Sequence, residues 1–467
     1  MPEQRPRKQI HLAAHFPGVN HHTVWTDPAS GSQIDFDSFV HLARTAERGL
    51  FDFFFLAEGL RLREHRDRIH DLDVVGRPDT FTVLNALVAV TTHLGLAGTI
   101  NTTFNEPFEL ARQFASLDHL SGGRAAWNAV TSSDAFTGEN FRRGGYLDHA
   151  KRYTRAHEVV DATRALWDNW PADTLVIDRE RGVFARPVTP VHFSSEQFEI
   201  DGPFVLPRGP QGYPVQIQAG DSDEGREFAA AKADVIFSAH GELADGQRFY
   251  RDVKDRLARY GRDRDDLKIL PAAGFVLGDT TAEAHERAHH IRRQQVTPQT
   301  AIAFLEQVWG RDLSAYDPDG PLPDIDPAED VNITRGRVRH AKDPRAIADA
   351  WRAKAAAEHL SIRELIIATT ARQQFVGTPR EVAVEIDRYV QSDAADGFVL
   401  VPYLTPTGLD EFVDKVVPEL QSLGSFRTAY TGPTLRHHLG LRHPHDSSPA
   451  NDSTGQSRHG TEGVRAS

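Results

Sequence analysis

The chain contains no cysteine and only one methionine among its 467 residues. Without thiols, disulfide bridges, cysteine nucleophiles and cysteine-ligated metals are excluded. Basic residues are also in the minority, because 53 Lys and Arg residues stand against 66 Asp and Glu residues and leave a formal net charge of −13. Nucleic acids and anionic membranes are bound by clustered positive charge. We therefore expect neither of them as a partner.

Long apolar runs are missing as well. The N-terminal sequence MPEQRPRKQIHLAAHF is polar and then typical of a strand, and it has no stretch long enough for a signal peptide or a membrane span. We expect a cytoplasmic protein. We interpret the sequence as having no Walker loop, no GxSxG motif, no HExxH pattern and no other zinc-type spacing. Neither a kinase nor a hydrolase is indicated, and we expect no bound metal.

Apolar runs alternate regularly with helical patterns along most of the chain. The pattern Phe36–Arg48 predicts a helix that stops at Gly49, and the aromatic run after it is too short for a buried helix. Repeated alternation of this kind predicts a parallel sheet. Eight strands are predicted, at Gln9–Phe16, Phe51–Ala57, Leu94–Asn101, Arg124–Thr131, Val215–Ala219, Asp234–Ser238, Leu267–Val276 and Gly397–Val401.

Eight strands separated by helices predict a (β/α)8 TIM-like barrel, an α/β fold, with a doubly wound open sheet as the alternative. No GxGxxG motif follows the first strand, which disfavours a dinucleotide-binding sheet. We predict one barrel domain over residues 1–441, with insertions at about 171–212 and 297–360. The first insertion is broken by prolines and is interpreted as a hairpin region, and the second contains a candidate lid at 310–331. Residues 442–467 predict a disordered tail.

Polar residues that follow the strands of a parallel barrel gather at one mouth, where ligands bind. Each of them also has a plain structural interpretation. Glu58 is in reach of Arg61 or Arg63 along the chain, Asn101 suits the cap of a turn, and a histidine pair is commonly exposed. Their joint position at strand ends favours a site. The residues at such positions are His21, His22, Glu58, Asn101, Thr102, Thr103, Asn128, Thr131, Ser132, Gly220, Ser222, Pro402 and Tyr403.

The segment from Leu117 to Tyr153 joins a helix, a strand and a second helix. The first helix ends at Ser121-Gly122-Gly123, where glycine suits a left-handed C-cap, and the strand begins at once. In the second helix, His149, Arg152 and Tyr153 share one face. An imidazole, a fixed cation and a phenol are suited to an anionic or hydrogen-bonding ligand, although a surface helix face is the alternative.

A second anion site is predicted where the strand at 215–219 leads into a helix. The backbone N–H groups at a helix start favour negative charge, and Ser222 and Arg226 add a hydroxyl and a guanidinium. A phosphate suits this position. An ordinary capped helix is the alternative.

Several motifs, spread from Ile10 to Leu441, resemble a known family. They are FDFFFLAEG, NEPFELARQFASLDHLSGGRAAWNAVTSS, ENFRRGG, HAKRYTRA, QAGDSDEGREFAA, VGTPREVA and YTGPTLRHHLGL. Together they are similar to the flavin-dependent monooxygenases of the bacterial-luciferase-like superfamily, within the group of nitrilotriacetate monooxygenase component A. This group acts on aminopolycarboxylates, dibenzothiophene sulfone and pristinamycin precursors.

The resemblance implies a TIM-like barrel that uses FMNH2 from a separate NAD(P)H:flavin reductase to activate O2. It implies insertion of one oxygen atom into a small organic substrate through a flavin C4a-hydroperoxide, and a homodimer. A deazaflavin-dependent oxidoreductase on the same barrel, or a non-catalytic flavin-binding relative, are the alternatives. Substrate choice is expected to depend on the lid and on the insertion near 171–212.

The family's functional positions map onto single residues of this chain. His21 resembles the histidine near the reactive face of the flavin and is the predicted catalytic residue, with His22 expected to point away. The loop reads HHTVW here, where the family pattern is HxGAW, and Glu58 replaces an aspartate. The implied flavin-binding residues are Glu58, Thr102 or Thr103, Asn128, His149, Tyr153 and, on the phosphate side, Ser222 with Arg226.

Overall fold

The computed structural model describes residues 7–62, 64–65, 68–69, 76–131, 138, 140–141, 149–238, 240–328, 334–335, 343–370 and 374–444. Its strands are β1 (His11–His15), β2 (Phe53–Leu56), β3 (Glu64–His65), β4 (Arg68–Ile69), β5 (Gly95–Asn101), β6 (Ala125–Val130), β7 (Leu175–Asp178), β8 (Val183–Ala185), β9 (Val191–Ser194), β10 (Glu199–Gly202), β11 (Val215–Ala219), β12 (Val235–Ser238), β13 (Lys268–Leu277), β14 (Thr334–Arg335), β15 (Gln374–Gly377) and β16 (Gly397–Leu400). Its helices are α1 (Phe36–Arg48), α2 (Thr80–Val88), α3 (Pro107–Ser121), α4 (His149–Trp167), α5 (Asp223–Lys232), α6 (Leu243–Arg256), α7 (Thr281–Gln295), α8 (Pro298–Trp309), α9 (Pro344–Glu358), α10 (Ile362–Thr370), α11 (Pro379–Gln391), α12 (Asp410–Ser422) and α13 (Leu435–His438).

Eight strands form a closed parallel barrel. Their order is β12-β11-β6-β5-β2-β1-β16-β13, and β12 pairs with β13 to complete the ring. Each predicted strand overlaps one of these eight, so the (β/α)8 barrel is confirmed. The doubly wound open sheet is excluded, because a closed ring has no free edge.

The barrel strands are mostly apolar because both of their faces are buried. In β1, Leu12 and Ala14 pack outward in the cluster that contains Phe39 of α1, whereas Ala13 packs inward with Phe53 and other barrel-lining residues. Side chains therefore alternate between the helical layer and the barrel interior. This alternation decides which polar side chains enter the barrel.

Strand β15 and helix α8 are among the elements that were not predicted from the sequence. Strand β15 extends the sheet by pairing with the carboxyl-terminal half of β13. Helix α8 begins where Thr297 accepts a hydrogen bond from the backbone N–H of Thr300, and Pro298 occupies its first turn. Both are standard helix-start signals.

The C-terminal segment covers the amino end of the barrel. Leu435 and Leu439 of α13 pack into the barrel-lining cluster. Arg427 donates to Asp52, just before β2, over 2.6 Å, and Arg436 donates to Asp234, just before β12, over 3.0 Å. The motif YTGPTLRHHLGL therefore serves to close one end of the barrel, and the polar strand ends lie at the opposite end.

The region between Trp167 and Pro214 contains two antiparallel hairpins, β7 with β8 and β9 with β10, as its broken pattern predicted. The ordered contacts of the chain run past residue 441, since Arg442 donates to Asp266 over 2.7 Å. The remainder of the predicted tail, from 445 on, lies outside the described residues. In the part of the chain described here, no helix is long and apolar enough to cross a membrane.

Candidate active site

Glu58 and Asn101 meet at the carboxyl ends of two neighbouring strands, β2 and β5. One carboxylate oxygen of Glu58 accepts from the backbone N–H of Asn101 over 3.1 Å and from its side-chain amide over 3.0 Å. Burial raises the pKa of Glu58 to about 7, although the hydrogen bonds from Asn101 oppose the shift. The two alternatives for Glu58 were Arg61 and Arg63, and Arg63 lies outside the described residues.

The two threonines after β5 differ in their surroundings. The backbone N–H of Thr102 donates to the carbonyl of Val130 over 2.9 Å, and its hydroxyl donates to the same oxygen over 3.2 Å. Its own carbonyl accepts from Arg155 over 2.9 Å. Thr102 thus ties β5 to β6 and α4. Thr103 is buried beside it.

Asn128 projects into the barrel, one layer above Ala126, because it lies two residues further along β6. Its amide N–H donates to the hydroxyl of Thr99 over 2.9 Å. Its side-chain oxygen is buried and has no hydrogen-bond partner among the described residues. A buried acceptor without a partner costs about 1–3 kcal/mol, so this position fits a ligand that carries a hydrogen-bond donor.

Tyr153 of α4 reaches the start of α5. Its hydroxyl lies 3.4 Å from that of Ser222, and a Cβ placed on Gly225 would lie only 3.1 Å from the phenol oxygen. Ser222 is the N-cap of α5 and accepts from the backbone N–H of Gly225 over 3.1 Å. The structure therefore brings Tyr153, Ser222 and the positive end of a helix together, as an anion site requires.

Arg226 and His149 were also predicted for this anion site. Arg226 donates to Asp252 over 3.0 Å and to the backbone oxygen of Asp221 over 3.1 Å, so its charge is shared with an acid of α6. His149 is the first residue of α4, and its side chain lies outside the described part of the structure. Arg152, on the same helix, is buried.

A cavity lies on the other side of the mouth, and both His21 and His22 line it. The two imidazoles are 3.7 Å apart between ring centroids, and His21 contacts the edge of Phe304. The backbone oxygen of His22 accepts from Gln295 over 2.5 Å. The prediction that His22 points away from the pocket is therefore wrong, because the loop after β1 presents both rings to the same cavity.

The remaining walls of this cavity come from the ends of two predicted strands, β13 and β16, and from two helices, and of the lining residues on these elements Tyr403 was predicted at a strand end. Gly274, Phe275 and Val276 belong to the end of β13, and Val401 and Tyr403 follow β16. Two helices supply the rest: Arg292, Gln295 and Val296 from α7 and its end, and Ile367 and Thr370 from α10.

The predicted lid at 310–331 does not line this cavity in its described part. It packs instead on its own helices: Leu313 is buried with Trp309, whose ring N–H donates to Ile325, and Ile362 donates to the backbone oxygen of Gly320. The cavity is instead reached by α10, which follows the predicted insertion.

Helix α7 contains the pattern HExxH at His285, Glu286 and His289, so the interpretation that the sequence has no such pattern is wrong. The three side chains are exposed on the outer face of the helix. Within the described residues, no group of three or more His, Asp or Glu side chains is placed to hold a metal ion. The spacing thus falls on a solvated helix surface, away from the mouth of the barrel.

A closed β/α barrel with buried polar groups at its carboxyl mouth has the architecture of a TIM-barrel enzyme. Residues 18–396 match the family model of the luciferase-like monooxygenases, and the chain belongs to this family. It is a flavin-dependent monooxygenase. The resemblance seen in the motifs is confirmed.

Curated relatives match almost the full chain. N-acetyl-S-(2-succino)cysteine monooxygenase of Bacillus subtilis (strain 168) is 40% identical, over 94% of this chain and 98% of the relative. Nitrilotriacetate monooxygenase component A of Aminobacter aminovorans is 38% identical over the same shares. Dibenzothiophene-sulfone monooxygenase of Rhodococcus erythropolis (strain XP) is 39% identical, again over 94% and 98%.

The barrel also superposes on solved structures of similar proteins. The crystal structure of riboflavin lyase with modified FMN and riboflavin has a TM-score of 0.76 and is 28% identical. The match covers 94% of this chain and 97% of that chain.

Proposed function

We propose that this chain is the oxygenating component of a two-component monooxygenase, which uses FMNH2 from a separate NAD(P)H:flavin reductase to insert one atom of O2 into a small organic substrate. The observation that carries the proposal is the buried side-chain oxygen of Asn128, which projects into the barrel without a partner among the described residues. A relative named component A supports the division of labour, since the name implies a further component.

The side chains at the mouth of the barrel are of types that suit the polar groups and the phosphate of FMN. Asn128 offers a hydrogen-bond acceptor, Glu58 and Thr103 lie at neighbouring strand ends, and Tyr153 and Ser222 stand at a helix start that suits a phosphate. His149 and Arg226 remain proposed members of the same group. When bound, reduced FMN supplies the electrons that activate O2.

Glu58 is suited to hold a proton at neutral pH. A carboxyl with a pKa of about 7 is half protonated there, so it donates a hydrogen bond in one state and accepts in the other. Its position against Asn101 fixes the direction of that proton. We propose that Glu58 contributes a neutral hydrogen-bond donor beside the cofactor.

His21 is the proposed general acid. It stands in a cavity whose walls include Phe275, Val276 and Val401, and such apolar walls exclude water from the reacting groups. An imidazole there is suited to deliver a proton or to position oxygen. We propose that the substrate binds against the remaining residues of this cavity.

The test is reconstitution. The purified chain is combined with FMN, NADH and a flavin reductase, and O2 uptake and product masses are measured with amine, sulfone and carboxylate candidates. We expect a product heavier by one oxygen atom, no NADH oxidation by the chain alone, and no effect of a metal chelator. NADH turnover without the reductase would contradict the two-component proposal, and hydride transfer from a reduced deazaflavin would favour the alternative cofactor.

A homodimer is also proposed. The hairpin β7–β8 exposes Leu175, Val176, Ile177, Val183 and Phe184, the last to 68%. A two-stranded hairpin is marginally stable alone, and a contiguous exposed apolar patch marks an interface. Sedimentation of the wild type and of Phe184→Glu tests this proposal: a dimer that the substitution converts to a monomer is expected, and an unchanged mass would contradict the role of the hairpin.

A further inference from the structure

A second cavity, with a volume of about 500 Å³, lies at the amino end of the barrel. Its lining includes Tyr213, Asp234 and Asp266, which stand just before β11, β12 and β13. Catalytic groups of TIM-barrel enzymes gather at the opposite, carboxyl end. Helix α5 joins the two places, because it begins at Ser222 in the mouth and ends at Lys232 in the wall of this cavity. The cavity is therefore separate from the proposed flavin site.

Positive side chains outnumber negative ones around this cavity in the described part of the chain. The cationic side chains of the lining are those of Arg164, Lys232, Arg262, Arg436 and Arg442. The acidic ones are those of Asp234 and Asp266. The chain as a whole has the opposite balance, with a net charge of −13. A local excess of positive charge in a cleft attracts negatively charged ligands.

Three of these cations have a structural role. Arg262 donates to the backbone oxygen of Ala233 over 2.6 Å, at the carboxyl end of α5, where the helix dipole favours a cation. Arg436 pairs with Asp234 over 3.0 Å, and Arg442 donates to the second acid of the lining over 2.7 Å. These contacts account for both acids of the lining and for three of its five cations.

Arg164 and Lys232 are not accounted for in this way. The guanidinium of Arg164 donates to the backbone oxygen of Lys232 over 2.5 Å and stands 5.7 Å from the ring centre of Tyr213, and within the described residues it has no ion pair. The ammonium of Lys232 pairs with Asp161, which is outside the lining. Arginine has five N–H donors and lysine three. Most donors of these two side chains therefore have no acceptor in the described part of the protein.

The guanidinium groups of the cavity also repel one another. Burial lowers the pKa of Arg262, and the charges of Arg164 and Arg436 lower it further, although Asp234 and Asp266 oppose the shift. An anion bound between these groups relieves the repulsion. A phosphate ester carries up to two negative charges and three acceptor oxygens, so it satisfies several cations from different directions, whereas a carboxylate is matched by a single guanidinium.

The cavity is too large for a phosphate group alone. Its volume falls within the range of about 300–1,000 Å³ that is usual for sites of small organic ligands. The ring of Tyr260 lines it and is 42% exposed, while its hydroxyl is held by Glu227 over 2.7 Å. A fixed, accessible aromatic ring suits stacking of a planar base. Charge, volume and the ring together fit a nucleotide.

We propose that this cavity binds a nucleotide, with its phosphate held by Arg164 and Lys232 and its base against Tyr260. The inference assigns a second ligand site to the chain, at the end of the barrel away from the flavin. It does not depend on the proposed monooxygenase function.

The experiment titrates the full-length protein, saturated with FMN, with AMP, adenosine and ribose 5-phosphate by calorimetry. FMN fills the phosphate site at the start of α5, so that AMP reports on the second cavity. We expect AMP to bind at least about tenfold more tightly than adenosine, which lacks the phosphate, and than ribose 5-phosphate, which lacks the base. Arg164→Gln and Lys232→Gln are each expected to weaken binding of AMP about tenfold, equivalent to about 1.4 kcal/mol.

Arg259→Gln is the matched control. Arg259 is next to Tyr260 in the chain but pairs with Glu227 on the surface and does not line the cavity, so its loss should change the affinity for AMP by less than about twofold. If Arg164→Gln does not fold, Lys232→Gln decides. AMP that binds no more tightly than adenosine or ribose 5-phosphate, or that binds both variants as it binds the wild type, would overturn the proposal.

Binding of FMN to the same proteins keeps the two proposals apart. We expect Arg164→Gln and Lys232→Gln to bind FMN as the wild type does, because Asn128, Tyr153 and Ser222 lie toward the other end of the barrel. If the wild type does not bind FMN, the monooxygenase proposal is contradicted, and the same titrations without FMN still decide the nucleotide site. Binding of FMN without binding of AMP leaves the monooxygenase standing and removes the second site.

Discussion

The carboxylate of Glu58 accepts two hydrogen bonds from Asn101, one from the backbone and one from the side chain, at the ends of adjacent barrel strands. Both bonds favour the charged form, yet burial outweighs them and raises the pKa of Glu58 to about 7. The folded protein therefore binds a proton that the unfolded chain has already released. Such a group makes stability depend on pH in a known direction.

We predict that Glu58→Gln changes this pH dependence. Because the folded pKa is raised from 4.5 to about 7, the wild type loses stability as the pH rises through that window. Glutamine does not titrate. The free energy of unfolding of the variant, relative to that of the wild type, should therefore rise by up to about 3 kcal/mol between pH 4.5 and 7, at 1.36 kcal/mol per pKa unit. Urea denaturation at several pH values measures the difference. Glu58→Asp keeps a titrating carboxyl and should keep a pH dependence, whereas a constant difference for Glu58→Gln would contradict the raised pKa.

We predict that Arg427→Leu strongly destabilises the closed end of the barrel. Burial of Asp52 raises its pKa, but attraction to Arg427 and His11 outweighs burial and holds the pKa below its ordinary value. Asp52 has no exposed surface, so removing Arg427 leaves this buried acid without its main cation. The loss lowers the free energy of unfolding by roughly 3–5 kcal/mol. Arg48→Leu, in a half-exposed pair with Asp414, is the control and should cost less than about 1 kcal/mol. Equal unfolding free energies of the two variants would refute a structural role for Arg427.

We predict that Ser222→Ala weakens binding of FMN about tenfold and binding of riboflavin much less, since only FMN carries a phosphate for the start of α5. The substitution also removes an N-cap, which costs about 1 kcal/mol of stability. Thr378→Ala removes the corresponding cap of α11 and controls for that loss. Arg226→Ala should also weaken binding of FMN more than binding of riboflavin. The effect should be smaller, because Arg226 already pairs with Asp252. Equal losses for FMN and riboflavin would place the phosphate elsewhere.

The barrel was predictable from the sequence because its signals are local. Strands such as Phe53–Leu56 are continuous apolar runs, and the left-handed φ of 70° at Gly122 follows from a glycine pair at a helix end. Glu58, which follows β2, and Asn128, near the carboxyl end of β6, were found for the same reason.

The far wall of the site was not predictable in this way. Arg292 and Thr370 lie on helices, and nothing in a helical pattern tells which face turns toward a cavity rather than toward solvent. Their placement depends on how α7 and α10 pack on the end of β13, which is a tertiary relationship. The predicted direction of His22 was wrong for a related reason. Neighbouring side chains in a loop do not alternate as they do in a strand, so His21 and His22 line one cavity.

The last prediction concerns the chemistry of His21. We expect His21→Ala to keep affinity for FMNH2 within a few-fold, because the imidazole lies across the mouth from Asn128, Tyr153 and Ser222. Product formation should fall by on the order of 100-fold, the usual range for a lost general acid or base, and H2O2 should appear in its place. Coupled measurement of O2 uptake, H2O2 and product separates these outcomes.

His22 lines the same cavity and is therefore unsuitable as a control, so His41→Ala is the control. His41 is bonded to Asp410 on the outside of the barrel, 2.9 Å from its carboxylate, and its loss should leave the ratio of product to H2O2 unchanged. His22→Ala then becomes a second test: a defect confined to His21→Ala assigns the proton to that ring, and a defect confined to His22→Ala moves it to the neighbouring one. If both variants still couple O2 uptake to product, neither imidazole acts on oxygen, and exclusion of water by Phe275, Val276 and Val401 must account for the coupling.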